Sequence, residues 1–144
     1  MVPSRPFPVL HIHGTADAWV PYVGGISPVD GWQWLACEDV VRAYAAINGC
    51  DSTPSLTDLP DLDPTDDTTV QLLTYNNCGT YVDSEGKTRP AEALLYRVVG
   101  GGHNWPGDYN WVRKGEVPVT HDIVASEVIW AFFKRHVLAA APVP

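Results

Sequence analysis

The chain has 144 residues, a normal globular balance of 45% hydrophobic and 18% charged residues, and a net charge of −8 from 9 basic and 17 acidic side chains. This length suits one domain over residues 1–144, and the negative charge disfavours nucleic acid and anionic membrane surfaces as partners. No run approaches the roughly 20 apolar residues of a transmembrane helix, and the proline-rich N-terminus is not a signal peptide, so we expect a soluble chain.

The first half of the chain predicts a strand, a loop and a helix. Residues 8–13, PVLHIH, are compact and rich in branched apolar side chains, and they end at Gly14, which is typical of a buried strand. Apolar side chains then recur at helical spacing from Asp30 to Asn48, and the following Gly49 favours a helix stop. The segment from Asp51 to Thr68 holds three prolines and six aspartates and predicts a loop.

The second half predicts two strands and a closing helix. The strands are Val70 to Tyr75 and Ala93 to Val99, separated by a polar, turn-rich stretch from Asp83 to Pro90. Residues from Asp122 to Val137 carry apolar side chains on one side and basic ones at the C-terminal end, as expected of a helix. The order of elements predicts an α/β domain with few, mostly parallel strands, flanking helices and long loops.

Two loops place a polar side chain just beyond a predicted strand. Asp17 lies four residues after His13, and His103 directly follows three glycines, residues 100–102. Ligands of open α/β sheets collect at the carboxyl ends of strands, so the two loops are expected to converge on one site. A carboxylate beside a histidine fixes the imidazole tautomer and stabilises its protonated form. We predict an Asp17–His103 pair for acid–base chemistry, the alternative being a loop histidine without a role.

Three cysteines are present, at positions 37, 50 and 78. Cys50 follows the first predicted helix and Cys78 follows a predicted strand, which favours a Cys50–Cys78 disulfide with Cys37 as the spare thiol. Three free thiols in an intracellular protein are the alternative, because disulfides are uncommon there.

The chain resembles the closing part of the α/β-hydrolases in HGTADAWVPYVGG around Asp17, GGGHNWPG around His103 and EVIWAFFKRH near its end. More narrowly, it resembles polyhydroxybutyrate depolymerase-like esterases, which include feruloyl and acetylxylan esterases. The resemblance implies that Asp17 and His103 are the acid and the histidine of a triad and that the cysteines 50 and 78 are paired. It implies further that Trp19 and Trp105 flank an acyl or aromatic substrate, and that the parent protein is secreted. It implies no required cofactor.

The nucleophile of that family is missing from the pattern. Its serine lies in a G-x-S-x-G turn ahead of the acid and the histidine. None of the six serines here sits in a glycine-flanked turn after a strand. We therefore expect a truncated α/β-hydrolase-like sheet without the nucleophile half.

The leading hypothesis is that His103, oriented by Asp17, activates water to hydrolyse a small carboxylic ester or lactone. The acyl or aromatic part of the substrate would occupy an apolar pocket lined by Trp19, Tyr22 and Trp105. The alternative is an inactive esterase fragment that binds a partner or forms homo-oligomers, since a cut sheet exposes an open edge and an apolar face.

Two segments carry possible metal ligands, and the first is an acidic loop. Asp61, Asp63 and Asp67 follow the early spacing of a calcium-binding loop, but Asp66 stands where that loop needs glycine and Leu72 where it needs glutamate. A solvated acidic loop is favoured, with a calcium-dependent hydrolase as a further alternative.

The second is a zinc site on the first strand. His11 and His13 alternate by two and so share one face of that strand. Zinc hydrolases with an HxHxDH motif need Asp and His where Thr15 and Ala16 stand here, so zinc is not predicted from this motif.

Overall fold

The computed structural model of the chain describes residues 3, 5–107 and 118–136. The elements in chain order are β1 Val9–Gly14, β2 Gly25–Ile26, β3 Gln33–Trp34, α1 Cys37–Ile47, β4 Ser55–Asp58, β5 Thr69–Tyr75, β6 Thr80–Val82, β7 Thr88–Pro90, β8 Ala93–Val99 and α2 Ala125–Arg135. Neither helix in this part of the chain is long and apolar enough to cross a membrane.

The main sheet of the described residues has four strands in the order β1-β8-β5-β4, so β1 lies at an edge. β1 runs parallel to β8, whereas β8 with β5 and β5 with β4 are antiparallel. The expectation of mostly parallel strands is therefore wrong, although the α/β class is correct. Parallel neighbours need a long crossover, usually helical, and α1 lies between β1 and β8 along the chain, while no helix separates β4, β5 and β8.

Several predicted element boundaries also differ from the structure. The first helix begins at Cys37 rather than at Asp30, because the residues ahead of it form a small antiparallel pair of β2 with β3. The segment predicted as a loop contains the strand β4, whose four residues are all exposed and so show no alternation of apolar and polar side chains. The last helix begins at Ala125 instead of Asp122, and Val137 lies outside the described residues.

The core lies between α1 and one face of the sheet. Cys37, Val41 and Ala45 recur at every fourth position of α1 and are buried against Leu95 of β8 and other sheet residues. Side chains alternate along β1, so residues 11 and 13 belong to the face covered by α1, and residues 10 and 12 to the face that carries α2.

The predicted disulfide is present between Cys50 and Cys78. It joins the segment after α1 to the turn after β5 and packs against the core, while Cys37 is a buried free thiol. A disulfide is compatible with an extracellular protein, since such bonds persist in oxidising compartments.

Candidate functional site

The loops that follow β1 and β8 meet at one edge of the sheet, because these neighbouring strands are parallel and end together. The Thr15 amide donates to the Val98 carbonyl over 2.8 Å, and the Ala16 amide donates to the Gly101 carbonyl over 2.9 Å. A Cβ on Gly14 would lie only 2.2 Å from the Gly101 carbonyl oxygen. Glycine at position 14 thus permits the close approach of the two loops.

Asp17 is held rigidly in the first of these loops. Its Oδ1 accepts hydrogen bonds from the backbone amides of Trp19 and Val20, at 2.8 and 2.9 Å. Its Oδ2 lies 2.9 Å from Nδ1 of His103, and the Asp17 side chain is only 5% exposed. The carboxylate is therefore aimed at the second loop by its own local turn.

His103 presents its other ring nitrogen to the outside. A carboxylate oxygen only accepts, so the Asp17–His103 bond needs the proton on Nδ1 and leaves a lone pair on Nε2. The His103 side chain is 55% exposed. The Trp19 ring lies beside it, with ring centroids 6.1 Å apart. The structure thus brings the predicted pair together in the geometry of a histidine base and its positioning carboxylate.

Asp17 has a second histidine neighbour that the sequence reasoning missed. Nε2 of His13 lies 3.3 Å from Asp17 Oδ2 and 2.8 Å from the Val20 carbonyl oxygen. Since the carbonyl only accepts, Nε2 of His13 carries a proton. The four-residue spacing of His13 and Asp17 across the end of β1 was the available signal.

A cleft of about 500 Å³ opens beside the pair. A second cleft of about 530 Å³ adjoins it and is mainly apolar, continuing over Ile129 and Phe132 of α2. The residues that line both are Ile12, His13, Gly14, Gly102, Asn104 and Trp105. An apolar surface therefore lies next to the exposed ring nitrogen of His103.

The three aromatic residues expected in a pocket have different positions. Trp105 lines both clefts and is 49% exposed, and Trp19 lies against His103. Tyr22 lines neither of the two clefts. It is buried beneath α1, where its hydroxyl donates to Glu38 over 2.8 Å. Burial and this hydrogen bond raise the pKa of Tyr22.

The acidic loop converges differently from the predicted calcium set. Among the described residues, ligand atoms of Asp63, Asp66 and His121 lie within 4.8 Å of one another, and Asp61 and Asp67 are not in this group. Nδ1 of His121 lies 3.2 Å from Asp63 Oδ2 and 3.4 Å from Asp66 Oδ2. Of the three residues expected to bind calcium, only Asp63 belongs to this cluster.

This cluster does not fit calcium, which takes six to eight oxygen ligands. One of the three groups is an imidazole. The Oδ1 atoms of the two carboxylates already accept hydrogen bonds within the loop. Asp63 Oδ1 accepts from the hydroxyl and amide of Thr65, which lower the pKa of Asp63, and Asp66 Oδ1 accepts from Thr68. The loop is organised by its own side chains.

Comparisons with known proteins give one distant relative. Over 104 residues, 70% of the chain, the sequence is 30% identical to feruloyl esterase B of Piromyces equi. The chain spans only 16% of that enzyme's length. No protein-family profile matches the chain, and no solved structure matches it. The similarity indicates a distant, esterase-like relationship.

Proposed function

We propose that this chain hydrolyses carboxylic ester or lactone bonds, with His103 as the general base and Asp17 as its positioning carboxylate. The observation that carries the proposal is the 2.9 Å Asp17–His103 hydrogen bond beside an open cleft. The distant similarity to a feruloyl esterase supports the same class of reaction.

The chemistry follows from the tautomer of His103. Nε2 accepts a proton from a water molecule as the water oxygen attacks the ester carbonyl carbon. The imidazolium that forms is stabilised by the Asp17 carboxylate, which is held by two backbone amides. As the tetrahedral intermediate collapses, Nε2 returns the proton to the departing alkoxide. General acid–base catalysis of this kind contributes about 10²- to 10⁴-fold in rate.

No serine in the described part of the chain bonds His103, which is why water is proposed as the nucleophile. Ser27 is buried, and its hydroxyl accepts from the amides of Val29 and Asp30. Ser126 lies in the first turn of α2 and makes no hydrogen bond to His103 in the described structure.

The adjoining clefts set the proposed substrate class. An apolar acyl or aromatic group in the larger cleft would lie against Ile12, Trp105 and Phe132. Its ester carbonyl would then reach the smaller cleft, beside Nε2 of His103. We therefore propose small esters and lactones with an apolar or aromatic group as substrates.

The test is hydrolysis of p-nitrophenyl butyrate, of an aromatic methyl ester and of an acyl lactone by the purified chain. The variants are His103→Gln and Asp17→Asn, and His121→Gln is the matched control because it removes an imidazole elsewhere. We expect His103→Gln to lose at least tenfold in rate. Asp17→Asn should lose a similar or larger factor, because an amide NH₂ facing Nδ1 favours the wrong imidazole tautomer. The control should match the parent.

Several outcomes would overturn the proposal. Equal rates for His103→Gln and the parent would exclude His103 as the base, and no hydrolysis above buffer by the parent would leave a chain that binds rather than catalyses. Equal losses in His121→Gln would mean that any imidazole of the chain hydrolyses activated esters. Stoichiometric inactivation by a serine-directed phosphonate would replace the water mechanism by a serine nucleophile.

A further inference from the structure

A second polar cluster lies beneath α1, and its His13 also contacts Asp17. His11 and His13 project from β1 toward α1, and the N-terminal residue of that helix, Cys37, meets them there. One ring nitrogen of each histidine and the sulfur of Cys37 all lie within 4.8 Å of one another. We propose that His11, His13 and Cys37 form a zinc-binding site.

The spacing of the two imidazoles fits tetrahedral zinc. His11 Nε2 and His13 Nδ1 are 3.3 Å apart. Zn–N bonds of about 2.0–2.1 Å at the tetrahedral angle place two nitrogen ligands about 3.3–3.4 Å apart. A Zn–S bond of about 2.3 Å places sulfur about 3.6 Å from each nitrogen. The present separations are within 4.8 Å, so the Cys37 sulfur needs to move by about 1.2 Å at most.

His13 is already oriented as a metal-bound histidine would be. Its Nε2–H donates to the Val20 carbonyl over 2.8 Å, which leaves the lone pair of Nδ1 directed at His11. Histidine ligands of metals characteristically donate their other ring N–H to a carbonyl or carboxylate. Val20 therefore acts as the outer partner of this ligand.

The charges around the cluster also suit a divalent ion. In the metal-free site His11 Nε2 donates a hydrogen bond to His13 Nδ1, so His11 must carry its proton on Nδ1 instead when Nε2 binds the metal. Burial and the nearby Asp17 carboxylate raise the pKa of the Cys37 thiol to about 11, because they disfavour a second buried negative charge. A zinc ion removes that penalty: Zn²⁺ replaces the thiol proton, a Zn–S bond forms, and one proton passes to solvent.

The ligand types select the metal. Two imidazoles and a thiolate suit zinc, whereas calcium and magnesium prefer oxygen ligands. The bound ion with its thiolate carries a net charge of +1, which the neighbouring Asp17 carboxylate balances. Asp17 is thus a charge partner in this site and not a ligand. The sequence motif pointed to the two histidines alone, because Cys37 is far from them along the chain.

The test uses Co²⁺ as a spectroscopic probe for zinc, added to the metal-free chain with its disulfide intact. We expect a sulfur-to-cobalt charge-transfer band in the near ultraviolet that saturates at one equivalent and disappears on addition of Zn²⁺. Cys37→Ser should lose the band, and His11→Gln should bind Co²⁺ at least tenfold more weakly. Asp63→Asn, which alters the acidic cluster, should behave as the parent.

Absence of the charge-transfer band in the parent would overturn the proposal, as would an equal band in Cys37→Ser. Cobalt absorption without the sulfur band would mean binding at other imidazoles. His103→Gln should retain the band. The cobalt titration therefore tests the metal site separately from the proposed hydrolysis. Circular dichroism establishes that each variant is folded, and His11→Gln tests the site even if Cys37→Ser does not fold.

Discussion

Gly14→Ala should separate the two loops that carry the site. The added Cβ would lie 2.2 Å from the Gly101 carbonyl oxygen and 2.8 Å from that of Gly102. Ordinary van der Waals contact begins at 3.4 Å, so the loops must move apart by about 1.2 Å. Both neighbours are backbone atoms, so no side-chain rotation relieves the clash.

The expected loss of stability follows from the hydrogen bonds that join the two loops. These run from the amides of Thr15, Ala16 and Gly100 to Val98, Gly101 and the Thr15 hydroxyl, at 2.8, 2.9 and 2.9 Å. At about 0.5–1.5 kcal/mol each, their disruption should lower the free energy of unfolding by about 2–4 kcal/mol. The same movement would stretch the Asp17–His103 contact from 2.9 Å to about 4 Å, beyond hydrogen-bonding distance.

Two measurements check this prediction. Urea unfolding gives the stability, and ¹⁵N NMR of the imidazole reports whether the Nδ1 proton of His103 is still held. Gly31→Ala is the matched control. Unlike Gly14, Gly31 has a positive φ, of 76°, and an added Cβ there meets no atom within 4 Å. Gly31→Ala should lower the free energy of unfolding by about 1–2 kcal/mol through backbone strain alone and leave the NMR signal of His103 unchanged. The reasoning is refuted if Gly14→Ala keeps the parent's stability and its His103 signal.

Two further predictions concern stability. Replacing Cys50 and Cys78 together by alanine should lower the free energy of unfolding by about 3–4 kcal/mol, because the bridge closes a loop with a sequence separation of 28; an unchanged urea midpoint would contradict this. Asp83 accepts from Arg89, and that bond is the main reason why its pKa is lowered. A carboxyl whose pKa is lower in the folded state stabilises the fold at any pH above its unfolded-state pKa of 3.8. This contribution is lost as the pH falls through the lower pKa of the folded state. Asp83→Asn should therefore unfold more easily at pH 7 and show a weaker loss of stability in acid; parallel pH profiles for variant and parent would contradict it.

The central part of the fold could be predicted because its strands are strongly apolar. β8 matches the predicted bounds, and β1 and β5 each differ by one residue at their ends. The contact between Asp17 and His103 could be predicted from where β1 and β8 end, because each polar residue comes shortly after a buried strand. A local signal was sufficient there.

The remaining features depend on contacts that local sequence does not encode. β4 is an exposed edge strand, so its residues lack the alternation that burial imposes. Trp34 and Leu35 continue the helical spacing ahead of α1, yet both are exposed, and Trp34 pairs in β3. The approach of Cys37 to the histidines of β1 depends on how α1 crosses the sheet, which no local pattern specifies.

The six residues of β1 serve both faces of the sheet, because successive side chains of a strand point to opposite faces. His11 and His13 meet Cys37 on the α1 side, whereas Leu10 and Ile12 line the apolar cleft, which His13 also borders at the end of the strand. A gain or loss of one codon inside this strand would shift its pairing with β8 and exchange the two sides, placing imidazoles in the cleft and aliphatic side chains beneath α1. The length of β1 is therefore far less free to change during evolution or engineering than the lengths of the loops around it.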